Sequence, residues 1–239
     1  MSVDLLVYTP NALELLIYTK NTRLQGEWSI QDIMDKDEEW KIEQIQDMMK
    51  TIQSPFEFVD YTFRLTGVSR SFTHQLVRTR NASYAQESLR AVQPQQGAYA
   101  PNPDVAWLQD IAIRHYEDLC ADGMPYQEAR EMLPMGIKTS IICKMNLREL
   151  AKMAEVRLCV RTAGEYQQVF KAMVAAITRV HPWAAPMLRV ACAKTGICVF
   201  PKYEECPVRP YTMEVSKLQK HTILNKWEEA NHVADPSIR

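Results

Sequence analysis

The sequence predicts an α+β fold, on three observations. Residues 3–7 and 58–65 have the composition and alternation of strands. Longer segments repeat apolar residues at the helical period. Glycine occurs only seven times in 239 residues, with no two close together, which excludes the dinucleotide fingerprint and the phosphate loop. With 46% hydrophobic residues the chain can bury a sizeable core, and its length suits one large domain or two small ones. No internal repeat and no clean boundary is visible. Residues 1–239 therefore read as a single α+β domain, with residues 201–239 as a C-terminal extension.

In chain order, Val3-Asp-Leu-Leu-Val7 reads as a short strand. Pro10 and Asn11 lead into a helix from about Ala12 to Thr19. Residues 38–52 carry Trp40, Ile45, Met48, Met49 and Ile52 at helical spacing. From Phe58 to Leu65 the chain alternates, with Val59, Tyr61, Phe63 and Leu65 on one side and Asp60, Thr62 and Arg64 on the other. That is the pattern of a half-exposed strand. Ser71–Val77 fits a short helix. Residues 91–105 hold three prolines and three glutamines and read as a loop. Helices follow at about 105–121 and 125–133, Pro134 and Gly136 interrupt the pattern, and a further helix is expected over 139–155. Residues 165–180 carry an amphipathic stripe of Tyr166, Val169, Phe170, Met173, Val174, Ile177 and Val180. Beyond Pro201 the chain turns polar and ends in a charged stretch containing Trp227.

Composition narrows the function classes. A net charge of -1 argues against a general nucleic-acid binder. No basic-then-apolar leader and no apolar run of membrane-spanning length is present, so a soluble, cytoplasmic protein is expected. The six cysteines (Cys120, Cys143, Cys159, Cys192, Cys198, Cys206) read as reduced, mostly buried thiols. Cys192, Cys198 and Cys206, with His221 beyond, leave a structural zinc conceivable, but the spacing is irregular and no metal is assigned. The dispersed histidines (His74, His115, His181, His221, His232) and the lack of an HExxH sequence disfavour a hydrolytic metalloenzyme.

The chemistry concentrates at Arg78–Arg90, where three arginines, two serines, an asparagine and a glutamine occupy thirteen residues. Planar guanidinium groups grip phosphate oxygens two at a time, and short polar side chains fill the gaps, so the segment suits an anion. Arg130, Arg148, Arg157 and Arg161 add cations further along. Arg157 and Arg161, four apart, share a face if one helix carries both. Ordinary solvated arginines remain the competing reading.

The stretch Gln75-Leu-Val-Arg78-Thr-Arg80-Asn-Ala-Ser-Tyr-Ala-Gln86-Glu-Ser88-Leu-Arg90 resembles the signature of the flavin-dependent thymidylate synthases: Arg-His-Arg, seven residues, then Ser, with Arg two further on. Ser54-Pro55-Phe56-Glu57 resembles that family's Pro-Phe-Glu element. Arg130-Glu-Met-Leu133-Pro134 resembles its Arg-x-x-Leu-Pro, and Asn146-Leu-Arg148 its Asn-x-Arg flavin contact. Arg157 and Glu165 match the arginine and glutamate of its closing helix. The correspondence runs in order from about residue 50 to 182.

The resemblance implies an α+β subunit with a mixed or antiparallel sheet packed with helices, assembled as a homotetramer. It implies FAD as cofactor, methylenetetrahydrofolate and NADPH as co-substrates, and methylation of dUMP at C5 to give dTMP. By the same resemblance, Glu57, Arg78, Thr79, Arg80, Gln86, Asn146, Arg148 and Arg161 contact the flavin. Gln75, Arg78, Gln86, Ser88, Leu89, Arg90, Arg130 and Arg157 surround the nucleotide, with Arg90 on its phosphate. Arg157 and Ser88 stand at the reacting ring: Arg157 stabilises negative charge there, which makes C5 a better nucleophile, and Ser88 orients. The implied partners are a pyrimidine deoxynucleotide monophosphate and a folate, with neither nucleic acid nor membrane.

This sequence departs from the signature at Thr79 (histidine), Gln86 (glutamate), Ala85 (asparagine), Leu89 (glycine), Ala91 (an aromatic residue), Arg161 (histidine) and Gly164 (tryptophan). The arginines remain while positions at the ring change. Alternative outcomes are therefore 5-hydroxymethylation of dUMP, modification of UMP or dCMP, or nucleotide binding without catalysis.

Overall fold

The computed structural model describes residues 1–94, 104–162, 164–196, 198 and 206. Its strands are β1 (Ser2–Tyr8), β2 (Asp60–Ser69), β3 (Ala82–Gln86) and β4 (Lys138–Asn146). Its α-helices are α1 (Ala12–Arg23), α2 (Ile30–Met34), α3 (Glu38–Lys50), α4 (Arg70–Leu76), α5 (Ala106–Ala121), α6 (Tyr126–Ala129), α7 (Leu147–Arg157), α8 (Glu165–Val180) and α9 (Ala191–Thr195). Residues 95–103 of the expected loop lie outside the described residues, as does the expected C-terminal extension with His221, Trp227 and His232, apart from Cys206. Two compact units share the chain: Met1–Leu6 with Thr62–Lys144, and Val7–Tyr61 with the residues from Met145 onward.

The first unit is built on an antiparallel sheet in the order β1-β2-β4-β3. The alternation expected along β2 is present: Val59, Tyr61, Phe63 and Leu65 are fully buried and Arg64 is exposed. Gly67 takes φ +68°, and a side chain there would meet the backbone of Met1 at 3.3 Å, so both conformation and space favour glycine. One expected element is corrected. Residues 139–155 are not one helix: Lys138–Asn146 is a strand and the helix starts only at Leu147. Thr139, Ile141, Cys143 and Met145 are buried, while Ile142 and Lys144 are exposed. This period-two burial, with β-branched residues at three of those positions, fits a pleated strand better than a helix.

Helix α4 begins where β2 ends. Ser69 caps it, its hydroxyl accepting from the Phe72 amide at 3.0 Å. The Arg70 and Ser71 amides donate to the carbonyls of Ile137 and Met135, each at 2.9 Å. The first-turn donors that a helix leaves unpaired are thus taken up by the loop before β4.

In the second unit, Lys41 is buried and its ammonium meets Glu14 at 2.7 Å and the Met34 carbonyl at 3.0 Å. Asn146 caps α7, its side-chain oxygen accepting from the Glu149 amide at 2.9 Å. Along α8 the expected stripe is core, with Tyr166, Val169, Phe170, Met173, Val174 and Ile177 buried. Tyr61 and His181 meet in the interior at 2.7 Å. No described helix is long and apolar enough to cross a membrane.

Candidate functional site

In the first unit the signature segment is a turn followed by a strand and a second turn. Gln75 lies in the last turn of α4, and Arg78, Thr79 and Arg80 occupy the turn after it, where the Arg78 amide donates to the Gln75 carbonyl at 3.2 Å. β3 returns alongside. The Tyr84 hydroxyl reaches the carbonyls of Leu76 (2.9 Å) and Thr79 (2.8 Å), pinning this turn to the strand. The Gln86 amide donates to the Thr73 hydroxyl at 3.0 Å, a second tie between β3 and α4.

Past β3, the Glu87 amide pairs with the Ser140 carbonyl at 3.0 Å, while the Glu87 carboxylate accepts from the Ser140 amide at 3.1 Å. Ser88 then opens a tight turn: its hydroxyl accepts from the Arg90 amide at 3.3 Å, and its carbonyl accepts from Ala91 and Val92. Gln75, Arg78, Arg80, Ser88 and Arg90 are exposed, and Leu89 is buried and anchors the turn. Polar and cationic groups are thus offered to solvent on a backbone fixed from beneath.

Arg70 is a residue that the sequence reading passed over. Its guanidinium donates to the Glu87 carbonyl at 3.0 Å, and its buried Nε has no partner among the described residues. Burial pulls this guanidinium below its ordinary value; Glu87 opposes that shift, and the positive charge of Arg130 adds to it. Arg130 therefore stands within electrostatic reach of the Arg70–Glu87 pair. Two cations around one carboxylate leave positive charge to spare, and an anion there relieves their repulsion. The only sequence signal for Arg70 is its position directly after the Ser69 cap.

The second unit holds the remaining candidates. Glu57 and Arg148 form an ion pair, and the buried Nε of Arg148 has no partner among the described residues. Glu57 also lines an open cleft of about 520 Å³ with Ser54, Pro55, Phe58 and α1 residues including Tyr18 and Arg23. Asn146 serves as the α7 cap, which fixes its side-chain oxygen.

Arg148 and Arg157 are nine residues apart on α7, about 14 Å along the axis and half a turn out of phase. They therefore project from opposite faces of the helix. Arg157 is the last residue of α7, and its guanidinium carbon lies 4.1 Å from the centre of the Tyr166 ring. Arg161 sits in a 3₁₀ turn, Val160–Thr162, so it does not share a helix face with Arg157. The chain leaves α7 at Leu158, and the Thr162 hydroxyl folds the turn back onto the Val156 carbonyl at 2.7 Å.

Comparisons with known proteins bear on the family and the fold. A model of the thymidylate synthase complementing protein family matches residues 4–183. The flavin-dependent thymidylate synthase of Sulfurisphaera tokodaii is 32% identical over 193 residues, covering 76% of this chain and 75% of that protein. The enzyme of the same name from Pyrococcus furiosus is 31% identical over 219 residues, covering 82% and 88%.

Among solved structures, thymidylate synthase X from Helicobacter pylori, determined with FAD and dUMP, superposes with a TM-score of 0.66 at 21% identity, covering 79% of this chain and 99% of that one. The UMP/dUMP methylase PolB from Streptomyces cacaoi superposes at 0.63 with 18% identity, covering 78% and 93%. At those identities the structures speak for the fold alone. The family rests on the sequence matches: this chain belongs to the thymidylate synthase complementing protein family, that of the flavin-dependent thymidylate synthases.

Proposed function

We propose that this protein is an FAD-dependent enzyme that methylates dUMP at C5, giving dTMP, with methylenetetrahydrofolate as carbon donor and NADPH as reductant, and that it works as a homotetramer. The observation that carries the reading is the family signature itself. Arg78, Arg80, Ser88 and Arg90 are exposed on two turns that Tyr84, Gln86 and Arg70 tie to α4.

The residues suit their assigned ligands. Arg90 holds the nucleotide phosphate, Gln75, Ser88 and the Leu89 backbone border the same ligand, and the Arg70–Arg130 surplus of positive charge favours an anion nearby. The resemblance assigns to the flavin cofactor Arg78, Thr79, Arg80 and Gln86 of the first unit and Glu57, Asn146, Arg148 and Arg161 of the second. The orphaned Nε of Arg148 is a donor awaiting an acceptor, and side chains supply the phosphate contacts that glycine-rich backbone supplies elsewhere. When bound and reduced, the flavin supplies the hydride that completes the methyl group.

The residues of the chain do the rest. Arg157, held over Tyr166, places fixed positive charge where the pyrimidine ring becomes negative as C5 attacks the one-carbon unit. Ser88 orients the ring. C5 gains a carbon and gives up its proton.

A second reading is favoured by Gln86. Its amide already donates to Thr73, so it brings hydrogen-bond donors and no charge to a position where the signature has a carboxylate. On that reading water completes the exocyclic carbon, giving 5-hydroxymethyl-dUMP. The test is product analysis by mass spectrometry after incubation with FAD, dUMP, methylenetetrahydrofolate and NADPH. dTMP is the expected product. 5-Hydroxymethyl-dUMP selects the second reading, and unchanged dUMP refutes both.

A further inference from the structure

Glu87 is fastened at three points just before the turn that carries Ser88 and Arg90. The Arg70 guanidinium donates from Nη2 to the Glu87 carbonyl at 3.0 Å. The Glu87 amide donates to the Ser140 carbonyl at 3.0 Å, and the Glu87 carboxylate accepts from the Ser140 amide at 3.1 Å. Arg70 belongs to α4, Glu87 directly follows β3, and Ser140 lies in β4, so three elements meet at the start of the turn. The turn is closed through the Ser88 hydroxyl and carbonyl and leaves Ser88 and Arg90 exposed.

Arg70 stands where local preferences disfavour it. It is the first residue of α4, where the positive end of the helix dipole opposes a cation. Its Nε is buried with no partner among the described residues, which adds a further cost. A neutral residue would fill this position more favourably if packing were its sole task. A side chain that breaks local preference without a local gain points to function.

The gain lies in the peptide group that Arg70 grips. The Glu87 carbonyl and the Ser88 N–H belong to one planar unit. A cation donating to that carbonyl draws electron density toward the oxygen, and the Ser88 N–H becomes a stronger donor. The grip also fixes the plane of the peptide, and with it the direction in which the turn leaves the sheet. A lysine ammonium supplies the charge but not the flat, rigid fork.

We infer that Arg70 is a positioning residue for the nucleotide phosphate: through the Glu87–Ser88 peptide it sets the Ser88–Arg90 turn in the geometry that grips a phosphate monoester. This rests on the proposed reading in which Arg90 holds the phosphate of dUMP. Arg70 acts at one remove, and its effect is confined to the charged end of the ligand. The turn with Arg78, Thr79 and Arg80 is pinned separately by Tyr84, so the flavin contacts there do not depend on Arg70.

The test is calorimetric titration of the full-length, FAD-loaded protein with dUMP and with deoxyuridine, which lacks the phosphate. Arg70→Met is expected to weaken dUMP binding about tenfold or more, while affinity for deoxyuridine and for FAD stays at the parent's level. In steady-state kinetics the same variant raises KM for dUMP by that factor and keeps kcat. Arg70→Lys is expected to fall between parent and Arg70→Met for dUMP, again with deoxyuridine unchanged.

Parent affinity for dUMP in Arg70→Met overturns the inference and leaves the functional reading standing. Equal losses of dUMP and deoxyuridine affinity, or a loss of FAD, also overturn it, since either marks Arg70 as general support for the fold. Where Arg70→Met does not fold, Arg70→Lys decides, and a dUMP affinity equal to the parent's overturns the inference. Parent protein that binds no dUMP overturns the functional reading, and this inference with it.

Discussion

The guanidinium carbon of Arg157 lies 4.1 Å from the centre of the Tyr166 ring, joining the last residue of α7 to the first turn of α8. The contact contributes about 0.5–2 kcal/mol and restricts where the cation can go. Arg157→Ala is expected to lower kcat by about 10²–10³, as removal of one preorganised electrostatic group does elsewhere. Tyr166→Leu, which keeps the charge and loosens its position, is expected to lower kcat by about tenfold. Steady-state kinetics with flavin content measured in parallel checks both. Unchanged kcat in Arg157→Ala removes Arg157 from the reaction.

Arg148 is paired with Glu57 at a partly exposed site, where ion pairs contribute little stability. Arg148→Met is therefore expected to shift Tm only slightly. Its effect on FAD is expected to be much larger, a loss of about 1.5–3 kcal/mol, or tenfold and more in Kd. Fluorescence titration of the stripped protein with FAD reads the affinity. Equal affinity in variant and parent contradicts the assignment.

The Lys41–Glu14 pair differs from the surface pair Lys50–Asp47. Side-chain exposure is 11% and 16% in the first and 75% and 65% in the second. Removing one member of the buried pair strands the other, so Glu14→Ala is expected to cost about 3 kcal/mol. Asp47→Ala is expected to cost less than about 0.5 kcal/mol. Urea denaturation of the two variants compares them directly.

The Tyr61–His181 bond sets a pH dependence of stability. Burial raises the Tyr61 phenol, so it stays protonated and donates, and His181 Nδ1 accepts as neutral imidazole. Burial also lowers the His181 value below 6.5, and Glu14 opposes this only partly. The unfolded chain therefore binds the proton first as pH falls. This contribution is fully present above about pH 6.5 and declines below it, toward the folded-state value. His181→Gln is expected to be less stable at neutral pH and to flatten this limb. Thermal unfolding from pH 5 to 8 reads the slope, and a parent no steeper than the variant contradicts the account.

Much of the fold is legible in the sequence, for reasons that also explain the exceptions. The alternation Val59, Tyr61, Phe63, Leu65 and the stripe Tyr166 to Ile177 are strong because each element buries one face. Residues 138–146 mislead because their apolar run continues directly into an amphipathic helix. The boundary signal is Asn146, whose side chain caps α7. The two units have no visible linker because their boundaries, at residues 6/7, 61/62 and 144/145, fall inside β1, β2 and β4.

At the site, residue types and motif spacing identify the arginines. The Arg70–Glu87 contact arises only from tertiary packing, which no local pattern encodes.

In the proposed flavin-dependent reaction, C5 of dUMP bonds to a new carbon and releases its proton to solvent. Release of tritium from dUMP labelled at C5 measures that step directly. The expected result is release that requires methylenetetrahydrofolate and NADPH, disappears when FAD is stripped, returns when it is restored, and falls about 10²–10³-fold in Arg157→Ala. No release from flavin-loaded protein with all co-substrates present contradicts it.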